Sequence, residues 1–291
     1  MLSENLYYNH SYMWIYFALA AAFLFAANSI LGRVLATRSA NPRAFALIYN
    51  AIGGIFVLSF FLFDHSQFSG INWQVILLLL INTCLYGIFN RFEFYARKNN
   101  EASTYTVLSE FTTVVTFVLS ILFLRESFTL NKVLALLIII SGNVLALITK
   151  KGIKFSSGIK YAILTTISLG TALTIDKKIS GNFPLPLYAF FAYFPPNIFL
   201  YFFPKLKFSD IKNELHLASY KIFILAAVNV CAYFMLIKSY SYGEASKVIL
   251  LISTSTILTV LSGIFLLKEK DRLWQKIFAA LLVTIGVLLL K

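Results

Sequence analysis

The sequence predicts an all-α polytopic membrane protein, with ten transmembrane helices arranged as two inverted five-helix repeats around a central cavity. Three observations lead there. The composition is too apolar for a surface that faces water, the apolar residues gather into helix-length blocks, and short motifs recur at an offset of 143 residues in a chain of 291.

Hydrophobic residues make up 59% of the chain and charged residues 13%, with a mean hydropathy of +0.79. Soluble domains run about 45–50% apolar and about 25% charged, so polar side chains here cannot cover a water-facing surface. The block structure then separates a membrane span from a large soluble core. A helix needs about 20 mostly apolar residues to cross a hydrocarbon layer of about 30 Å.

Runs of that kind, bounded by charge, Pro, Gly and Asn, fall near residues 12–36, 43–63, 71–97, 102–124, 131–149, 157–179, 184–203, 217–240, 245–267 and 272–290. Tyr12, Trp14, Trp73 and Trp274 stand at run starts, where amphipathic rings favour the headgroup level. No Lys or Arg precedes the first run and no small-residue cleavage pattern follows it, so it is expected to stay as a helix and not be removed as a signal peptide. Connections are mostly short, which predicts antiparallel hairpins and no soluble domain.

A net charge of +13 raises the question of nucleic acid. The basic residues do not form one patch, however. They sit in short loops such as Lys150, Lys151 and Lys154, or Lys268, Lys270 and Arg272, where they suit membrane topology and contact with anionic lipid headgroups. No nucleic-acid partner is expected. Cys84 and Cys231 lie inside apolar runs and are expected to be small, buried and unreactive. His10, His65 and His216 lack partners at metal-ligand spacing, and there is no phosphate-cradling glycine loop with its Lys-Ser/Thr. No cofactor is expected, and active transport would need an ion gradient or exchange instead of ATP.

The repeat is the most informative pattern. Glu101-Ala102-Ser103 returns as Glu244-Ala245-Ser246, and Arg125-Glu126-Ser127 is answered by Lys268-Glu269-Lys270, each 143 residues on. The paired glutamates are 25 residues apart in both copies, and Pro42 matches Pro186 at an offset of 144. Five helices per repeat is an odd number, so the second repeat enters the membrane inverted, an arrangement that places a transporter's substrate site between the halves near the midplane. The expected units are residues 1–149 and 150–291.

Glu-Ala-Ser, a helix, Arg/Lys-Glu and another helix, occurring twice in a ten-helix chain, resembles the EamA-type transporters of the drug/metabolite transporter superfamily. The resemblance covers almost the whole chain. It implies a basket of helices around a cavity, alternating access, and small organic cargo such as amino acids, nucleotide sugars or amines. It also implies that Glu126 and Glu269 are structural helix-end markers, each favouring the N-terminus of the helix that follows.

Ionisable groups inside spans are rare and costly, so each is a functional candidate. Glu110 lies nine residues past Glu101, roughly 13 Å deep at 1.5 Å per residue. Ser103, Thr106, Glu110, Thr113 and Ser120 recur at helical spacing as one polar stripe facing the bundle interior. Glu110 maps onto Ser253 in the second repeat, so the halves differ where the charge matters. On the third run Asn82, Tyr86, Asn90, Glu93 and Arg97 form a second stripe. Arg91 falls at the depth of Glu110 in a hairpin turning near Asn99, so the two either form a fixed ion pair, beside a local Glu93–Arg97 pair, or serve transport, with Glu110 exchanging a proton for cargo or both side chains clamping the carboxylate and amine of an amino-acid-like solute. Tyr86 maps onto Asn229 and Asn90 onto Tyr233, and all four are candidate cavity residues, as is the deeper Asn28. Arg33 aligns with Lys177, next to Asp176; the two long cations are expected to reach the headgroups.

Eighteen Lys and Arg lie on the side bearing loops 1–2, 3–4, 5–6, 7–8 and 9–10, here called side A. Seven lie on side B with both termini. The positive-inside rule puts side A in the cytoplasm, whereas the family resemblance implies cytoplasmic termini; the charge count belongs to this chain and is followed here. The expectation is a secondary transporter for a small organic metabolite, such as an amino acid or amine, in a bacterial inner membrane. Its partners are membrane lipids and H+ or another coupling ion, and it is a monomer or weak dimer. The competing readings are an integral-membrane enzyme, or a channel without gradient coupling.

Overall fold

The computed structural model describes residues 2–36, 38–64, 66–99, 102–147, 158–202, 205–266 and 273–290. The named elements are helical: α1 (Leu2–Ala36), α2 (Pro42–Phe61), α3 (Trp73–Asn99), α4 (Ala102–Leu124), α5 (Leu130–Leu147), α6 (Ile159–Ile179), α7 (Leu185–Tyr193), α8 (Asn197–Tyr201), α9 (Phe208–Ala218), α10 (Lys221–Tyr242), α11 (Ala245–Ile252), α12 (Ser255–Leu266) and α13 (Leu273–Leu288). Four stretches are long and apolar enough to cross a membrane: Tyr12–Gly32, Pro42–Phe61, Trp73–Glu93 and Lys221–Tyr242. Residues 108–124, 130–145, 245–259 and 274–288 are shorter apolar helices.

Local signals set several boundaries. Asn41 accepts from the Ala44 N–H at 3.3 Å, and Pro42 occupies the first helical position, where its missing N–H is not needed. Asn72 accepts from the Val75 N–H at 3.0 Å and starts α3 in the same way. Arg125 takes a left-handed φ of 57° just past α4, a conformation that ends a helix and turns the next residue away from its axis.

Two runs expected to be single helices are broken. Pro195 and Pro196 separate α7 from α8, because a proline cannot donate within a helix and crowds the preceding turn. The run 245–267 breaks at Ser253-Thr254, where both hydroxyls fold back onto carbonyls three residues earlier, Leu250 at 2.8 Å and Leu251 at 2.7 Å. The loop between α8 and α10 contains an unexpected helix, α9, whose buried Glu214 accepts from the Asn41 N–H at 2.5 Å and fastens α9 to the start of α2.

The helices interleave across the repeats. α1 packs on α10, as α3 packs on α6; α4 packs on α6, as α11 and α12 pack on α1; α2 meets α7 and α5 meets α13. Each of these pairs maps onto another, or onto itself, when the repeats are exchanged. Small residues permit the closest approaches. A Cβ on Gly142 would lie 2.7 Å from Val283 Cγ2, and one on Gly286 would lie 2.6 Å from Ile139 Cγ1, so α5 and α13 meet glycine to side chain in both directions.

The outer surface is apolar, with Phe23, Leu122 and Phe123 each about two-thirds exposed. Cys84 and Cys231 are both exposed, contrary to expectation. An apolar run in such a bundle has an outward apolar face as well as a core face, so hydrophobic surroundings in sequence do not imply burial. Trp14 stands near the start of the Tyr12–Gly32 stretch and is buried, its ring packed where a Cβ on Gly243 would stand.

Candidate functional site

The helices enclose a central cavity of about 420 Å³, within the roughly 300–1,000 Å³ of small-molecule sites. Its walls come from α1, α2, α3, α4, α6, α7, α10, α11 and α12, so both repeats contribute. On α1, α2, α3 and α4 most of the lining residues lie in the half nearest side A, and on α10 they divide evenly between its two halves. Asn28, Tyr86, Asn90, Glu93, Glu110, Asn229, Tyr233 and Ser253 all line it; Arg91 does not.

Glu110 is buried on α4 and spans the broken helix of the other repeat. One carboxylate oxygen accepts from the Thr256 hydroxyl and the other from Asn143 Nδ2 at 2.8 Å. The same Asn143 Nδ2 donates to the Ser253 carbonyl at 3.1 Å, in the interruption between α11 and α12. The break and the carboxylate therefore form one polar cluster. Breaks in helices are tolerated at such depth where they line a cavity and neighbours supply the missing hydrogen bonds.

The expected Arg91–Glu110 pair is not formed. Arg91 Nη1 reaches the Phe199 carbonyl of α8 at 3.5 Å instead. The cause is tertiary: α6 packs against both α3 and α4, which touch each other only slightly, so equal depth in a presumed hairpin did not bring the two side chains together. The side chains of Arg33, Ser103, Thr106 and Arg97, and residues 267–272 with Glu269, lie outside the described set. Asn28 accepts from the Tyr49 hydroxyl at 3.4 Å.

Asp176 is the residue that sequence reasoning missed: it is fully buried and takes four hydrogen bonds. Asn82 Nδ2 donates to Oδ1 at 2.7 Å and the Tyr188 hydroxyl to the same oxygen at 2.6 Å. The hydroxyls of Tyr86 and Tyr233 donate to Oδ2 at 2.6 Å and 3.0 Å. One carboxylate thus joins α3, α6, α7 and α10. Lys177 does not snorkel, because its ammonium donates to the carbonyls of Tyr240 and Gly243 at the end of α10. The sequence signal that could have identified Asp176 was its unmatched position: no acid stands in the equivalent place of the first repeat.

At side B the repeat motifs lock onto each other. Glu126 accepts from the backbone N–H groups of Ala245 and Ser246 at 2.6 and 2.9 Å, capping α11 and not the helix that follows it in sequence. The left-handed turn at Arg125 aims it there. Glu244 accepts from the Ser127 hydroxyl at 3.0 Å and lies 2.7 Å from the Lys132 ammonium, which itself donates to the Ser127 carbonyl at 2.7 Å. Partial burial pushes the Glu244 carboxyl up, but hydrogen bonds from Lys132 and Ser127 and the charges of Lys132 and Lys247 outweigh it and hold the group below the usual carboxylate range.

A depressed carboxyl stabilises the fold above its unfolded pKa of about 4.3, and that contribution disappears as pH falls through the folded value. Wild type should lose more melting temperature than Glu244→Gln between about pH 5 and pH 3, a difference read by thermal unfolding in detergent. Equal losses would show that the contact carries no linkage.

The comparisons with known proteins agree with this architecture. No curated protein sequence matches. A solved crystal structure of another protein aligns over 95% of this chain and 95% of its own, with a TM-score of 0.74 and 14% identity, which establishes a shared fold. Residues 12–148 and again 156–291 match the EamA-like transporter family, so the helices form two EamA repeats. With most of its length covered by two consecutive matches to that family, and with apolar helices suited to a bilayer, the chain is an integral multi-pass membrane protein that belongs to the EamA-like transporter family.

Proposed function

We propose that the chain is a secondary transporter that moves a small organic metabolite, an amino acid or amine, by alternating access, coupled to an ion gradient or to exchange. The observation that carries this reading is one cavity shared by both repeats, with a buried carboxylate, Glu110, bonded to the broken helix of the opposite repeat. Such a group feels any rearrangement of one repeat against the other.

Ten spans with inverted repeats account for the motif pairing, and side A is placed in the cytoplasm by its Lys and Arg excess. The cavity then faces the cytoplasm, while the contacts of Glu126, Glu244 and Lys177 close side B. Cysteines introduced at Asn99 and Lys151 should be labelled from the same side of a bacterial inner membrane. A C-terminal reporter that fluoresces only in the cytoplasm should stay dark. Labelling from opposite sides would overturn the topology, and a bright reporter would reverse its orientation.

Transport itself is tested in proteoliposomes preloaded with amino acids and amines. Counterflow of a labelled solute should saturate with concentration. Flux that rises linearly would replace the transporter reading with a channel.

A further inference from the structure

We infer that the cavity is built for an organic cation, and that Tyr86, Tyr193 and Tyr233 form the box that receives its ammonium head. This rests on the transporter reading above and narrows the cargo from amino acid or amine to amine.

The first support is the charge of the walls. The ionisable acids lining the cavity are Glu93 and Glu110, and among the described lining residues there is no Lys or Arg. An amino-acid cargo would bring a carboxylate that needs a cation or several converging N–H groups. The cation closest in sequence to the lining of α3, Arg91, is turned to the Phe199 carbonyl. An amine cargo finds the wall it requires.

The second support is the shape of the aromatic corner. The Tyr86 and Tyr233 rings meet at 83° with centroids 6.4 Å apart, and those of Tyr193 and Tyr233 meet at 88° with centroids 5.7 Å apart. Tyr233 thus stands perpendicular to both neighbours, and all three line the cavity. A cation is attracted by a ring face within about 6 Å of its centroid, so this spacing allows one ammonium to engage more than one ring. The hydroxyls are already engaged. Those of Tyr86 and Tyr233 donate to Asp176, and that of Tyr193 accepts from Asn229 Nδ2 at 2.6 Å and donates to the Asn229 carbonyl at 3.3 Å. The corner therefore offers a ligand rings and not free hydroxyls. A phenol that donates to a carboxylate also has a more electron-rich ring, which strengthens its hold on a cation.

Asp176 is the third support. It sits at the hydroxyl ends of two of the box rings, fully buried, with four neutral donors as its hydrogen-bond partners. The neighbouring Lys177 is committed to the Tyr240 and Gly243 carbonyls. A carboxylate carries its charge more readily beside a cation, so an ammonium in the box would favour the charged form of Asp176.

The test uses the full chain purified in detergent and isothermal titration with choline, its neutral isostere 3,3-dimethylbutan-1-ol, and glycine betaine, which has the same head with a carboxylate. Choline should bind at least about tenfold more tightly than the alcohol, the factor expected of a desolvated cation–ring contact, and more tightly than betaine. Tyr233→Leu should weaken choline by a similar factor, while Tyr233→Phe, which keeps the ring, should weaken it less. If Tyr233→Leu does not purify, Tyr193→Leu serves, since its hydroxyl has no part in holding Asp176.

Equal binding of choline and the alcohol overturns the inference, and so does tightest binding of betaine. A saturable counterflow of neutral or zwitterionic solutes, with no binding of choline, also overturns it and leaves the transporter reading intact. Choline binding without saturable flux of any solute supports the box and overturns transport.

Discussion

Glu110→Gln is expected to abolish gradient-driven accumulation of solute while leaving folded protein and solute counterflow in place. The substitution keeps the size of the side chain and removes its charge. Its amide oxygen can still accept one of the two present hydrogen bonds, from Thr256 or from Asn143. The new NH₂ also has a place to donate: with the Gln oxygen kept on Asn143, it faces the Thr256 hydroxyl, whose oxygen accepts as readily as its O–H donates. The fold should therefore tolerate the change, with a melting temperature within a few degrees of wild type for a perturbation of about 1 kcal/mol.

Coupling should not tolerate it. A proton exchanged for cargo needs a group that can bind and release it, and Gln cannot. Accumulation driven by a pH gradient in proteoliposomes should fall at least about tenfold, the consequence of losing about 1.4 kcal/mol at one charged site. Counterflow needs no net proton movement and should persist, with a lower affinity for a cationic solute that has lost one of the two wall carboxylates. The amino-acid clamp that would have used Arg91 and Glu110 together has no basis in the geometry, so Arg91→Gln should not reproduce the phenotype. Normal pH-driven accumulation by Glu110→Gln would remove Glu110 from the mechanism.

Asp176→Leu should prevent recovery of folded protein. Removing the carboxylate strands Asn82, Tyr86, Tyr188 and Tyr233 without their acceptor. Each buried donor left unsatisfied costs about 1–3 kcal/mol, and the four together rival the roughly 5–15 kcal/mol that holds a typical domain folded. Asp176→Asn is the control. It keeps one acceptor oxygen, and a tyrosine hydroxyl can rotate to accept from the new NH₂, so the loss should be partial. Size-exclusion chromatography of a fluorescent fusion separates the two outcomes: an aggregated profile for Leu, and a monodisperse peak with a lowered melting temperature for Asn. A monodisperse, wild-type-stable Leu variant would show that the four-donor hub does not hold the bundle together.

Much of the architecture was legible before any coordinates. Composition and block length determined that the chain is helical and suited to a bilayer, because the physics of covering an apolar surface acts on every residue alike. The 143-residue offset paired Glu110 with Ser253, Tyr86 with Asn229 and Asn90 with Tyr233, and those six residues share one cavity wall. An offset reads equivalent places, and equivalent places in interleaved repeats converge on the centre. Helical periodicity likewise picked out the buried side of α4, where Glu110, Thr113 and Ser120 all lie away from the surface.

What only the tertiary structure decided was which neighbours those residues meet. Sequence adjacency suggested an α3–α4 hairpin and hence the Arg91–Glu110 pair, but α6 lies between the two helices. It suggested that Lys177, near a helix end, would reach headgroups, yet Lys177 binds the carbonyls of Tyr240 and Gly243, and α3, α7 and α10 bring three tyrosines and an asparagine to the neighbouring Asp176. It suggested that Glu126 served its own following helix, whereas the turn at Arg125 delivers it to α11 of the other repeat. Each difference has one physical cause. Periodicity records which face of a helix is buried, and the partner on that face is set by how the two repeats interlock, at separations along the chain that no local pattern encodes.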